Sequence, residues 1–177
     1  SKGLAQKVPP LADRVGLALV GGENQAGGGL LNNNIASIRS AVDIITDPMS
    51  SNINILTIPG AREPLVTDYA LLKTKEYSQA IYLLDMIKYD QDGNRLYDDS
   101  TARVGVRETS EGFERRTIDN NYGATFFPDV FINDPINNRV LKVPASVAAL
   151  GTFGFNDRVS FPWYAPAGFT RGALKGV

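Results

Sequence analysis

Short apolar runs alternate along this chain with stretches in which apolar residues recur every three or four positions, and that alternation sets the expected architecture. Residues 15–20 (VGLALV) form a compact run closed by Gly21-Gly22, the pattern of a buried strand leaving a sheet. A glycine-rich loop, residues 23–29, follows. From Asn34 onward Ile35, Ile38, Val42 and Ile45 share one helical face, with Asn34 as the cap and Asp47-Pro48 as the stop. Residues 53–58 (INILTI) are rich in β-branched side chains and end at Pro59-Gly60, which predicts a second strand. Pro64 suits a first helical turn, and Leu65, Tyr69 and Leu72 then predict a helix to about Tyr77. Residues 80–87 predict a third strand with one carboxylate, Asp85, inside it.

Strand, helix, strand, helix, strand at this spacing implies parallel strands joined by right-handed crossovers. The expected class is therefore α/β, or α+β mixed: a central, mostly parallel sheet with helices on its faces plus a hairpin excursion. Residues 88–103, polar and turn-forming, are that excursion. Residues 109–121 predict a helix capped by Ser110 with Phe113 inward, although Gly112 weakens it. Residues 125–132 read as a strand interrupted by Pro128, hence an edge or a bulge. Asp134-Pro135-Ile136-Asn137-Asn138 predicts a turn, residues 139–143 a short extended segment, and residues 146–155 a final helix. From residue 156 to 177 the chain reads as an irregular strap. Its Trp163, beside Pro and small residues, is expected to fasten the strap onto the domain.

Composition narrows the chemistry. A length of 177 residues suits one domain, and 43% hydrophobic against 21% charged residues supports a real core. Eighteen Lys and Arg against nineteen Asp and Glu leave a net charge of -1 with no basic stripe, which argues against nucleic acid as a partner. The chain has neither Cys nor His, so thiol nucleophiles, imidazole bases and the usual zinc ligand sets are excluded. No run approaches the roughly 18–20 apolar residues of a bilayer span, so membrane insertion is not expected. The chain does not start with Met and stops at Gly176-Val177 after an apolar run, the expectation being a piece of a longer protein.

Three constellations bear on chemistry. The loop from Gly22 to Gly27 has the glycine spacing of half a P-loop, yet Gly28 and Gly29 stand where Lys and Ser or Thr must reach the phosphates, so a plain connection is preferred. Asp90-Gln91-Asp92-Gly93-Asn94 opens like a calcium loop, but Gly93 is fourth and Thr101 twelfth, so a simple turn explains it better. The carboxyl ends of the expected strands gather Glu23, Arg62, Glu63, Asp90 and Asp92. With Asp85 they define the enzymatic alternative, a magnesium-dependent α/β enzyme using Asp85, Asp90, Asp92 and Arg62. Solvated loop ends are ordinarily polar, and that account is preferred: no cofactor, metal or catalytic residue is assigned.

The C-terminal third carries a resemblance. Phe131-Ile132-Asn133-Asp134-Pro135, then Val143-Pro144-Ala145-Ser146, a helix with Ala148, Ala149 and Gly151, and Trp163-Tyr164-Ala165-Pro166-Ala167-Gly168 leading to Gly172 and Gly176-Val177 resemble contractile-tail sheath proteins in content and order. Residues 55–60 and 80–85 are similar to that family's core strands, so the resemblance covers roughly residues 50–177. Ala145 stands where the family often has a second Pro. Residues 153–161 lack its usual charged helix end, leaving Asp157 and Arg158.

The resemblance implies a non-enzymatic structural subunit, possessing no cofactor, that stacks with copies of itself in six-fold rings around a tail tube, meets a baseplate, and contracts to drive the tube through a host envelope. It implies residence in the virion tail after assembly in the host cytoplasm, and the lean is toward a giant myophage. The sheath of a type VI secretion or bacteriocin particle is the close alternative. In the family, terminal arms join neighbours by adding strands to a sheet. Such arms are not evident here, so residues 1–177 alone are expected to stay monomeric. Asp134, Pro135, Val143, Pro144, Ser146, Trp163, Ala165, Pro166, Ala167, Gly168 and Gly176 are the motif residues, with structural roles. Glu111, Glu114, Arg115 and Arg116 are the candidate subunit-contact patch, because near-neutral net charge permits pairs that re-form in two registers.

Overall fold

The computed structural model describes residues 32–86, 106–116, 118–161 and 163–174. The expected strand at 15–20, the glycine-rich loop, the excursion at 88–103 and Gly176 lie outside them. The chain divides into two compact units, one ending at Ala124 and one beginning at Thr125. Both mix helices and strands, in keeping with the expected mixed α/β class.

In the first unit, helix α1 spans Asn33–Ile45. Its cap is Asn32, whose side-chain oxygen accepts from Asn34 N at 2.9 Å, so the start falls before the expected Asn34. Ile35 and Val42 are buried, while Ile45 at the last helical position is exposed. Thr46 closes the helix by donating its hydroxyl to the Val42 carbonyl at 2.7 Å.

Strand β1 (Ile55–Thr57) and strand β2 (Ile81–Asp85) pair in parallel, with Leu56 opposite Tyr82. Parallel neighbours need a crossover, and helix α2 (Pro64–Tyr77) supplies it. Pro64 sits in its first turn as expected, and Ser78 ends it with φ 62°. The buried face is not the expected Leu65–Tyr69–Leu72 stripe. Val66, Thr67, Ala70, Leu71, Thr74 and Tyr77 are the buried residues, and Leu72 is 51% exposed. Two threonines disguise this face in the sequence. Thr74 donates to the Ala70 carbonyl at 2.7 Å, which satisfies its hydroxyl within the helix and makes burial inexpensive.

Val42, Leu56, Ala70, Leu71, Tyr82 and Leu84 form the core, with Ile53, Ile58, Tyr69, Phe113 and Ile118 packed around it. Each large aliphatic buried here contributes about 1.5–3 kcal/mol. Helix α3 covers Val106–Glu114, beginning and ending earlier than the expected 109–121. Ser110 is therefore inside the helix and caps nothing, whereas Phe113 faces the core as expected. Strand β3 (Gly123–Phe126) lies beside β2, next to the bond from Tyr82 N to the Tyr122 carbonyl at 2.8 Å.

In the second unit, strands β4 (Val130–Asp134) and β5 (Arg139–Val143) form a two-stranded antiparallel sheet. The expected strand at 125–132 is thus two strands, parted at Phe127-Pro128-Asp129, where the proline has no N–H to donate. Helix α4 (Ala145–Val159) follows β5 after Pro144, and helix α5 (Gly168–Arg171) adds a last turn.

Candidate functional site

The crevice at the carboxyl ends of β1 and β2 is tied up internally. Asp85, 1% exposed, accepts from Gly60 N at 2.9 Å and so holds the turn after β1, where Gly60 has φ 80°. Arg62 donates to the Met86 carbonyl at 2.6 Å and is also buried. Glu63 caps α2 by accepting from Leu65 N at 3.3 Å. Each has a fold-holding job, which is a physical reason for a buried carboxylate and guanidinium at a strand end. Glu23, Asp90 and Asp92 lie outside the described residues. Among the described residues no group of three or more Asp, Glu, His or Cys could hold a metal ion.

The charged patch divides. Glu111 pairs with Arg107 at 2.8 Å one helical turn away, and Glu114 and Arg115 face solvent. Arg116 does not belong to a surface patch: its side chain is 10% exposed and pairs with Asp68, while Nη2 also donates to the Thr67 hydroxyl at 2.7 Å. It clamps the end of α3 to α2. The Tyr82 side chain is buried, and its hydroxyl is pushed well above the usual phenol range by burial first and by Asp85 second.

The motif residues of the second unit build a surface. Asp134 ends β4 and organises the turn, accepting from Ile136 N at 3.0 Å, Asn137 N at 3.3 Å and Asn137 Nδ2 at 2.6 Å. The Asn137 side-chain bond, above all, holds its carboxyl below the usual range. Pro135 occupies the turn it was expected in, and Asn138 takes φ 48°, a conformation Asn tolerates. Val143 closes the hairpin opposite Val130, and Pro144 turns the chain into α4 with φ -57° and ψ 148°. Ser146, in the first turn of α4, is buried.

At the far end of α4, Asn156 is 3% exposed and donates from Nδ2 to the Tyr164 carbonyl at 3.0 Å. That bond, not Trp163, ties the strap to the helix. Trp163 is 75% exposed and stacks on Phe161 with ring centroids 4.7 Å apart and planes 5° from parallel. The expected anchor is an outward-facing ring: α4 ends at Val159, and the aromatic residues that follow in the strap, Phe161, Trp163 and Tyr164, are exposed. Tyr164 lies beside the pair, with the Arg171 guanidinium 4.7 Å from its ring centroid. Gly168 needs its φ of 74°, and a Cβ on Gly172 would stand 2.6 Å from the Pro166 carbonyl. These two glycines let the segment from Ala165 to Gly172 fold back closely. Behind it an apolar recess of about 380 Å³ is lined by Phe126, Val130, Ala148, Phe153, Pro166 and Leu174 among others.

Sequence reasoning missed Asn156, Phe161 and Phe169. The signal for the rings was four aromatics within residues 161–169 at spacings matching neither helix nor strand, so that no regular element could bury them.

Over 60 residues the chain is 40% identical to the tail sheath protein of Vibrio phage KVP40. This is a likeness to a phage tail sheath protein. It takes in 34% of this chain and 8% of the relative, so the chain spans only a small part of that protein. No family model matches the chain, and no solved structure matches it. No helix among the described residues is long and apolar enough to cross a membrane.

Proposed function

We propose that this chain is part of a structural subunit of a contractile phage tail sheath, stacking with its own copies in six-fold rings around a tail tube in the virion tail. The observation that carries it is the 60-residue likeness to the KVP40 tail sheath protein. The surface of the second unit is in keeping with it. Its hairpin is a two-stranded sheet with no further strand paired to it among the described residues, and such a hairpin is marginal alone. An open edge accepts a strand from a neighbour through main-chain hydrogen bonds.

Contraction then follows from exchanging one set of contacts between rigid subunits for a more stable set, summed over many copies, with the tube and baseplate as the other partners. The motif residues from Asp134 to Gly168 hold the hairpin, helix and strap in shape for such contacts. Residues 1–177 alone stay monomeric at micromolar concentration in this reading. Electron microscopy of the protein made from its complete reading frame tests it. Hollow cylinders of uniform width are expected; particles that never lengthen at milligram-per-millilitre concentration overturn the proposal.

A further inference from the structure

The aromatic surface of the strap and α5 identifies a specific contact, and the argument rests on the sheath reading. Phe161, Trp163, Tyr164 and Phe169 are 58%, 75%, 46% and 97% exposed. At roughly 200 Å² per aromatic residue they leave about 550 Å² in water. A stable contact buries about 800 Å² on each partner, so one strap supplies about two-thirds of that requirement. The residue types match as well, because Trp, Tyr and Arg dominate binding energy at contact centres. Arg171 lies over the Tyr164 ring, and Arg158 has its guanidinium 5.6 Å from the Phe155 ring centroid.

Charge selects the opposing face. Two straps meeting each other would set Arg158 and Arg171 against their own equivalents, an arrangement that like charges oppose. The carboxyl end of α1 offers the opposite character. Ile44 is 70% and Met49 93% exposed there, and the Asp47 carboxylate stands between them in sequence, held by Met49 N at 3.1 Å and the Ser50 hydroxyl at 2.7 Å. No basic residue occupies the last turn of α1, so the negative end of the helix meets hydroxyl donors and no cation of that turn. A thioether also packs favourably against ring edges.

We infer that the arginine-flanked aromatic strap of one copy docks on the Ile44, Asp47 and Met49 surface of a second copy. The two faces differ, so the contact is heterologous and propagates into an open helix instead of closing as a two-fold dimer.

The chain contains no cysteine, so engineered thiols report on this contact cleanly. Protein carrying Met49→Cys is mixed with protein carrying Ala165→Cys, oxidised with copper phenanthroline at high protein concentration, and run on a non-reducing gel. Mixed dimers are expected in about tenfold excess over either like pair, the ratio that roughly 1.4 kcal/mol of preference produces. Adding Trp163→Ala to the Ala165→Cys chain removes the excess. Adding Asp47→Asn to the other chain keeps the turn's acceptor and reduces it severalfold. Circular dichroism of each variant matches the parent, since the altered side chains lie at the surface. Like pairs equal to mixed pairs, no cross-linked product, or an excess that survives Trp163→Ala overturns the inference. Cylinders in the microscope without the mixed product sink this contact and leave the sheath reading standing; the mixed product without cylinders does the reverse.

Discussion

The two units handle apolar surface in opposite ways. Twelve of the thirteen buried apolar residues among the described positions belong to the unit ending at Ala124, and Ala145 alone belongs to the other. Eleven of the sixteen exposed large apolar residues fall in the second unit, although it is the smaller. Apolar side chains are equally available to both; what differs is whether the backbone gives them a common interior. Parallel strands with a crossover helix enclose a core by construction. A lone hairpin, one long helix and a single further turn have too few layers to do so, and their apolar surface stays available to partners. The lesson is a division of labour: one unit encloses most of the buried apolar surface, and the other leaves most of its large apolar side chains exposed.

Truncating the same side chain in both units breaks this comparison most directly. Leu84→Ala, in the core, costs about 2–5 kcal/mol, whereas Leu150→Ala, partly exposed on α4, costs about 0.5 kcal/mol or less. Urea unfolding of the two variants measures the gap, and equal losses would contradict the division. Next in size is the Arg116 clamp. Arg116→Ala strands the buried Thr67 hydroxyl and costs about 1–3 kcal/mol, while Arg115→Ala stays within about 0.5 kcal/mol. If the Arg115 variant is the less stable one, the clamp is assigned to the wrong residue.

Gly154 sharpens the picture with a change of opposite sign. It lies inside α4 with open space where a Cβ would be, so Gly154→Ala stabilises the isolated chain by about 0.5–1 kcal/mol. A lower melting temperature in calorimetry would mean that this face of α4 is already packed. The smallest effect concerns Asp134. Its folded carboxyl titrates below the unfolded value of about 3.9, so its contribution is present above that value and is lost as pH falls through the lower, folded one. The amide resonances of Ile136 and Asn137 followed by NMR should move with a midpoint under 3.9. A midpoint at or above it would remove the Asn137 bond as the cause.

Local pattern carried far in this chain. The stops at Asp47-Pro48 and Pro59-Gly60, Pro64 in a first turn, the turn at 134–138 and the helix after Pro144 each follow from backbone preferences of a few adjacent residues, and each stands in the structure. Three things were decided only by tertiary structure. Which face of α2 turns inward depended on threonines satisfied by the Ala70 carbonyl and by Arg116, partners invisible to a hydropathy pattern. Arg116 became a clamp because Thr67 and Asp68, nearly fifty positions away, were brought beside it. Trp163 faces water because a ring's hydrophobicity says that it gains from burial, while only the packed chain determines whether anything stands ready to bury it.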